Sequence, residues 1–218
     1  MIFASREEAG GRLGRELRER SVMVDRVAGL PRGGVVVAAE VARVLGRPLD
    51  ILVVRKIGHP WHREFAVGAL AEAGVVRLDE SSLIGNESLR PQLQQVIEEE
   101  QARLRSLVAL FHSETHRDLK GKVVLLIDDG IATGATLEAA AIAAKKMGAR
   151  RVIAAAPVAS EAAVERLRQS TDAVRVLLID PGFQAVGQYY RSFEQTSDEE
   201  VLALLKASAS AYSLDGQE

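Results

Sequence analysis

The fold of this chain is decided by one stretch, Val123–Thr136, which reads VVLLIDDGIATGAT. It opens with five consecutive apolar residues, and an apolar run without polar alternation is typical of a parallel strand buried on both faces. Two carboxylates follow, then a turn of small and hydroxylated residues, and then a predicted helix over Ala135–Met147. The stretch therefore predicts a strand, an acidic loop and a helix in direct succession.

The same alternation extends along the rest of the chain. Further apolar strands are predicted at Val22–Val27, Asp50–Val54, Arg151–Pro157 and Val174–Ile179, and further helices at residues 5–20, Val35–Leu45 and Ser160–Gln169. Strands of this kind separated by helices indicate an α/β fold with a doubly wound, parallel sheet of about five strands. Such sheets bind ligands in loops beyond the carboxyl ends of their strands, which is where the acidic loop lies.

We interpret residues 1–218 as a single domain in which two segments interrupt the alternation. Residues 58–87 are rich in glycine and predict a flexible loop with some β-ribbon. Residues 88–117 predict a helical insertion, whose amphipathic helix either caps the core or forms a subunit interface. In the helix over residues 5–20, the arginines, Arg6 among them, are expected on a solvated face that the neighbouring glutamates balance.

Composition narrows the class of protein. The chain contains no cysteine and carries a net charge of −2, which argues against a thiolate metal site and against sequence-independent nucleic-acid binding. No apolar run approaches the ~20 residues of a membrane span, and the first ten residues do not resemble a secretory signal. We therefore expect a cytoplasmic protein that binds neither membrane nor nucleic acid.

The acidic loop suggests its own chemistry. The adjacent carboxylates of Asp128 and Asp129 can accept hydrogen bonds from vicinal hydroxyls, or hold a divalent cation through water. The turn Ala132–Thr136 presents backbone N–H groups at a helix N-terminus, which favours a phosphate. A Walker-type loop would place a lysine after its last glycine, and a dinucleotide-binding fingerprint would require a G-x-G-x-x-G motif; neither is present.

The stretch closely resembles the 5-phosphoribosyl-1-pyrophosphate (PRPP) motif of type I phosphoribosyltransferases. The resemblance implies that family's fold, with a small hood and a flexible loop. It implies that Asp128 and Asp129 act in catalysis, holding the ribose hydroxyls and stabilising positive charge as pyrophosphate leaves. The 5-phosphate would be bound by Ala132, Thr133, Gly134, Ala135 and Thr136. Mg²⁺ would enter with PRPP and contact the two aspartates through water.

One position departs from the family pattern. Gly130 stands where the family usually carries an aliphatic residue, so looser packing under the loop is expected.

A second anion site is predicted from two basic segments. The glycine-rich turn after the first strand contains Arg32, Gly33 and Gly34, and Arg55 and Lys56 follow the second strand. Considered without the acidic loop, the turn would be an ordinary connection between a strand and a helix, and the two basic side chains would simply be exposed to water. Beside the acidic loop, both resemble the family's pyrophosphate-binding loop and its basic partner.

The flexible loop and the acceptor side are less defined. His59, His62 and Arg63 are candidates to approach the leaving group when the loop closes, or else they decorate an exposed loop. Residues 180–218 resemble the purine-binding hood of hypoxanthine–guanine phosphoribosyltransferases, with one extra residue. There, Phe183 and Val186 are candidates for acceptor binding.

Ala132 points away from that subfamily, which carries a proton-exchanging aspartate at the matching position. The acceptor therefore stays open.

Two functions are compatible with these features. The leading one is an enzyme that transfers 5-phosphoribose from PRPP to a nitrogenous acceptor, in particular a nucleobase, and releases pyrophosphate. The alternative is a PRPP-sensing regulatory protein that keeps the fold without transferase activity. Such regulators need a basic face or a DNA-binding module, and we expect neither here. Family members are commonly dimers, so a homodimer is expected by analogy.

Overall fold

The structure is a computed structural model that describes residues 2–79, 90–112 and 118–215. Five strands form a parallel sheet: β1 (Arg26–Gly29), β2 (Leu49–Ile51), β6 (Val123–Ile127), β7 (Arg151–Ala159) and β8 (Ala173–Ile179). Their order is β2-β1-β6-β7-β8. Three more strands form an antiparallel sheet in chain order: β3 (Val54–His59), β4 (His62–Ala71) and β5 (Val75–Leu78).

Helices pack against both sheets and cover both faces of the parallel one. They are α1 (Arg6–Glu19), α2 (Gly33–Leu45), α3 (Arg90–Phe111), α4 (Ala135–Lys146), α5 (Glu161–Ser170) and α6 (Asp198–Asp215), with a 3₁₀ helix at Val186–Tyr189. One face carries α1, α2 and α6, while the other carries α4 and α5, and the antiparallel sheet packs against α4. The predicted doubly wound, five-stranded parallel sheet is confirmed. The small antiparallel sheet forms a hood, whereas the described part of residues 180–218, where a hood was expected, contributes no strand to it.

The central strand β6 explains why its sequence is apolar throughout. All five of its residues are buried. Leu125 and Ile127 belong to the hydrophobic core shared with α1 and α2, whereas Val124 and Leu126 belong to the core shared with α4 and α5. Because side chains alternate between the two faces of a sheet, a strand covered on both faces must be apolar at every position.

Two of the predicted strands differ clearly from the observed ones. The first strand was expected at Val22–Val27, but β1 begins only at Arg26. Before that point, the Asp25 carboxylate accepts a hydrogen bond from the backbone N–H of Val123 (2.7 Å), so a side chain ties the segment to β6.

The predicted strand Asp50–Val54 is divided between the two sheets. β2 ends at Ile51, and Val54 already pairs with Ala71 in the hood. Arg55 and Lys56 consequently lie on the antiparallel strand β3, not at the end of a parallel strand as expected.

The two segments that interrupt the alternation of strands and helices form strands and a helix in their described parts. Residues 58–79 belong to a hairpin and its third strand, with His59 paired to His62, and Val75–Leu78 is the predicted β-ribbon. Parts of the predicted loop, insertion and hood segment lie outside the described residues, namely 80–89, 113–117 and 216–218. Within residues 180–215, α6 packs on α2 and β2. None of the described helices is both long and apolar enough to span a membrane.

The contact between α1 and α2 depends on small residues. A Cβ atom on Gly10 would lie 2.6 Å from the carbonyl oxygen of Val37 in α2. A Cβ atom on Gly11, one position further along the same helix, would meet only the end of Arg15, at 3.5 Å. The two neighbouring glycines therefore form a matched pair for testing the helix packing.

We expect Gly10→Ala to lower the free energy of unfolding by about 1–3 kcal/mol, because backbone atoms of α2 would have to move. Gly11→Ala is expected to raise it by about 0.5–1 kcal/mol, because alanine loses less entropy than glycine in a helix. Urea unfolding of both variants measures the difference. Equal effects of the two substitutions would contradict the packing described for α1 and α2.

Candidate functional site

The site is formed by loops that follow two neighbouring parallel strands. Gly29 at the end of β1 is in register with Ile127 at the end of β6. The N–H of Leu30 then donates to the carbonyl of Ile127 (2.8 Å), which holds the start of the two loops together. Residues 30–34 and 128–136 consequently face each other at the carboxyl edge of the sheet, as the rule for parallel sheets requires.

Two helices begin at this edge. The helix α2 begins at Gly33, and α4 begins at Ala135 after Gly134, whose φ of 77° suits a residue without a side chain. A helix N-terminus presents free N–H groups and the positive end of the helix dipole, so each of these two can receive an anion.

A cavity of about 780 Å³ lies between the loops. Its walls include most of the predicted site residues: Arg32, Gly33, Arg55, Lys56, Arg63, Asp128, Asp129, Ala132, Thr133, Gly134, Thr136 and Val186. Gly34 and Ala135 lie beside it in the first turns of α2 and α4 without lining it. The fold therefore brings the predicted phosphate, ribose and pyrophosphate residues to one cavity.

The acidic pair lies at the junction of the two loops. Oδ1 of Asp128 accepts a hydrogen bond from the backbone N–H of Asp129 (2.9 Å). Burial, and next the charge of Asp129, raise the pKa of Asp128 well above its ordinary value, whereas Lys56 and Arg6 act in the opposite direction. The site thus combines two like charges with cations from separate elements.

Arg6 is a site residue that the sequence reasoning missed. Its Nε donates to Oδ2 of Asp129 at 2.8 Å, and both side chains are nearly buried, with 12% and 14% of their surface exposed. The prediction that Arg6 lies on a solvated face was wrong. A mixed charge run on a helix is usually solvated, and no local pattern signals a partner 123 residues away.

Tyr190 was also missed. Its hydroxyl donates to the backbone carbonyl of Asp129 (2.6 Å), and burial raises the pKa of this phenol above its ordinary value. Its ring contacts those of Phe3 and Phe193, with centroid distances of 5.6 and 5.1 Å. Asp129 is therefore held at its carboxylate by Arg6 and at its carbonyl by Tyr190.

The helix α3 forms one wall of the cavity through ion pairs. The buried Glu100 accepts hydrogen bonds from Arg55 (2.8 Å) and from Arg103 (2.6 Å), and Glu99 pairs with Arg63 (3.0 Å). The helix α3, which lies within the predicted insertion, thus borders the site, and its Glu100 orients Arg55. Whether α3 also forms a subunit interface stays a prediction.

The remaining candidates lie at the margin of the site. His59 and His62 face each other across the hairpin, with ring centroids 5.7 Å apart, and do not line the cavity. Phe183 stacks on Tyr189 at 5.3 Å and likewise does not line it. The roles of these three residues stay predictions.

Packing under the acidic loop is tight, contrary to the expectation from Gly130. A Cβ atom there would lie 2.6 and 2.9 Å from the two methyl groups of Val186. The side chain of Val186 therefore fills the space next to Gly130, and the glycine is required for this close contact.

The described residues offer no group of three or more histidine, aspartate or glutamate side chains that could hold a metal ion by themselves. The adjacent carboxylates of Asp128 and Asp129 suit a Mg²⁺ ion whose remaining ligands are phosphate oxygens and water. The residues present therefore fit a cation that arrives with a phosphorylated ligand.

Comparison with known proteins agrees with these features. Residues 7–192 match the model of the phosphoribosyl transferase domain. A Mycobacterium tuberculosis protein, provisionally described as a phosphoribosyl transferase, is 41% identical over 205 residues; the match covers 94% of this chain but only 46% of that protein. The crystal structure of the protein TT1426 from Thermus thermophilus is 41% identical, with a TM-score of 0.78, and covers 95% of this chain and 99% of its own.

The contact between Gly130 and Val186 can be tested with a double-mutant cycle. We expect Gly130→Ala to lower the free energy of unfolding by about 1–3 kcal/mol, because the new methyl group overlaps Val186. Adding Val186→Ala should recover part of that loss by providing the space. Strictly additive effects in denaturant unfolding would show that the two residues do not compete for the same space.

Proposed function

Because the chain belongs to the phosphoribosyl transferase domain family, we propose that it transfers 5-phosphoribose from PRPP to a nitrogenous acceptor and releases pyrophosphate. The observation that carries the proposal is the convergence of two helix N-termini and an acidic pair on one cavity. A ligand with a phosphate on one side of a ribose and a pyrophosphate on the other matches that arrangement in charge and in order.

The 5-phosphate is assigned to the N-terminus of α4. Ala132–Thr136 supplies N–H groups and two threonine hydroxyls there, and the helix dipole favours the negative charge. The turn is anchored by Ser160, whose hydroxyl donates to the carbonyl of Ala132 (2.7 Å). Such anchoring reduces the entropy that is lost when the phosphate binds.

The pyrophosphate is assigned to the N-terminus of α2 and its basic neighbours. Gly33 and Gly34 let the backbone approach an anion closely, while Arg32, Arg55 and Lys56 supply positive charge at the cavity wall. Glu100 accepts a hydrogen bond from Nε of Arg55 and so fixes the guanidinium. The two terminal nitrogens of Arg55 therefore keep a defined direction and can donate to a phosphate oxygen.

The ribose is assigned to Asp128 and Asp129, whose carboxylates would accept hydrogen bonds from its vicinal hydroxyls. Their negative charge would also stabilise an oxocarbenium-like C1 as the C1–oxygen bond to pyrophosphate breaks and the acceptor nitrogen bonds to C1. When bound, Mg²⁺ would neutralise charge on the departing pyrophosphate, contacting the two aspartates through water.

The acceptor is assigned to the cavity beside Val186, and a nucleobase is the proposed class. Phe183 would contribute only by moving from its stacked position on Tyr189. Ala132 supplies no general base, so the acceptor's proton has to leave to water or to another group.

Binding of PRPP can be tested by thermal unfolding. Magnesium-PRPP at about 100 times its Kd should stabilise the protein by about 2.7 kcal/mol, which corresponds to a rise in Tm of several degrees. The double variant Asp128→Asn, Asp129→Asn should lose this rise, because neutral amides accept weaker hydrogen bonds from the ribose hydroxyls and do not attract the hydrated Mg²⁺. Glu165→Gln, an exposed carboxylate on α5, serves as the control and should keep it. A wild-type protein with no rise in Tm would contradict the proposed donor.

The reaction can be tested with a panel of purines, pyrimidines and small amines. We expect at least one of them to cause release of pyrophosphate from PRPP in the presence of Mg²⁺. If magnesium-PRPP binds but no acceptor causes release, the PRPP-sensing regulatory function replaces the enzymatic one.

A further inference from the structure

Arg6 is fixed on several sides although it lies far from the acidic loop in the chain. Besides its contact with Asp129, it donates from its terminal nitrogen to the carbonyl of Glu194 (2.7 Å). Its guanidinium carbon lies 3.9 Å from the ring centroid of Phe193. A guanidinium that is stacked and donates in two directions has little rotational freedom.

The backbone around Arg6 is also held in place. The N–H of Phe3 donates to the carbonyl of Tyr189 (2.7 Å), and the N–H of Arg191 donates to the carbonyl of Phe3 (2.9 Å). Ser5 then caps α1 by accepting from the N–H of Glu8. The start of α1 is therefore joined to the segment after the 3₁₀ helix, and this junction places Arg6 at the site.

The contact between Arg6 and Asp129 lies inside the cavity wall. A Cβ atom on Gly33 would lie 2.1 Å from Oδ2 of Asp129 and 2.6 Å from Nε of Arg6. The ion pair therefore packs directly against the first residue of α2, on the side assigned to pyrophosphate. The loop after β1, the loop after β6 and the start of α1 meet at this point.

The described contacts leave each aspartate one carboxylate oxygen for a ligand. Oδ1 of Asp128 is held by the backbone N–H of Asp129, and Oδ2 of Asp129 is held by Arg6. The other oxygen of each residue is not engaged by these two contacts. Two fixed carboxylates with one remaining oxygen each are suited to the two neighbouring hydroxyls of a ribose.

We propose that Arg6 is a positioning residue of the ribose site, which holds one oxygen of the Asp129 carboxylate and thereby directs the other toward a ribose hydroxyl. This inference rests on the proposed function, because it assumes that the acidic pair binds ribose. Arg6 acts through Asp129 and needs no contact with PRPP. Its contribution should therefore be largest with ligands that carry the ribose hydroxyls.

The test compares three ligands on folded protein. Magnesium-PRPP and ribose 5-phosphate contain the ribose hydroxyls, whereas magnesium pyrophosphate lacks them. In calorimetric titrations, Arg6→Ala should weaken binding of both ribose ligands about tenfold or more, as expected for the loss of a charge-assisted hydrogen bond that orients an acceptor. Binding of magnesium pyrophosphate, which meets the two aspartates only through the water around Mg²⁺, should weaken much less than binding of the ribose ligands.

Two further variants separate positioning from a general structural effect. Arg6→Lys keeps the charge but cannot donate to both Asp129 and Glu194 as a planar fork, so it should recover part of the affinity for ribose ligands. Arg18→Ala removes an exposed arginine from the same helix and should bind all three ligands like the wild type. If Arg6→Ala does not fold, Arg6→Lys carries the test, with a smaller loss that is again greater for the ribose ligands than for magnesium pyrophosphate.

Two results would overturn the inference. One is an equal loss of affinity for ribose ligands and for pyrophosphate, which would indicate a general distortion of the cavity. The other is unchanged affinity for ribose ligands in both Arg6 variants. A wild-type protein that binds neither ribose ligand would instead remove the proposed function itself, so the two failures are distinguishable.

Discussion

The pairing of β1 with β6 is the constraint on which the rest of the site depends. Gly29 and Ile127 end these two parallel strands in register, and the hydrogen bond from Leu30 to Ile127 extends the contact past the strand ends. Both loops must therefore begin at the same edge, and both following helices point their N-termini at the same volume. A shift of one residue in this pairing would reverse the faces of the buried side chains, which two hydrophobic cores prevent.

The two loops meet at this edge of the sheet and bring negative charge together there, and basic side chains from several elements balance that charge. Two adjacent carboxylates repel each other in a partly buried site, and the desolvation cost rises with burial. Arg6 from α1 and Lys56 from β3 oppose that charge, while Glu100 on α3 engages Arg55 on the facing wall. The cavity therefore has an acidic centre with basic groups around it, an arrangement suited to a ribose between phosphates. Gly33 makes the arrangement possible, because any side chain there would displace Asp129.

Much of the fold was predictable because its signals are local. The apolar run Val123–Ile127 has to be covered on both faces, and the acidic loop and helix that follow it were predicted with boundaries close to those observed. The prediction was wrong where local pattern and tertiary pairing disagree. Ile51–Val54 is one apolar run, yet the N–H of Leu52 donates to the carbonyl of Gly29, and the chain then leaves the parallel sheet so that Val54 pairs with Ala71. Gly130 suggested loose packing only because its neighbour Val186 lies 56 residues further along the sequence.

The sequence by itself determined the strand–loop–helix unit, the acidic pair and the family to which the chain belongs. Each of these is carried by neighbouring residues whose spacing has a direct physical meaning. Only the tertiary structure decided that Arg6 and Tyr190 hold Asp129, and that Glu100 on α3 orients Arg55. These contacts join residues 123, 61 and 45 positions apart. The local sequence around an arginine on a helix is the same whether its side chain faces water or a carboxylate. Only the packing of distant segments therefore distinguishes these two environments.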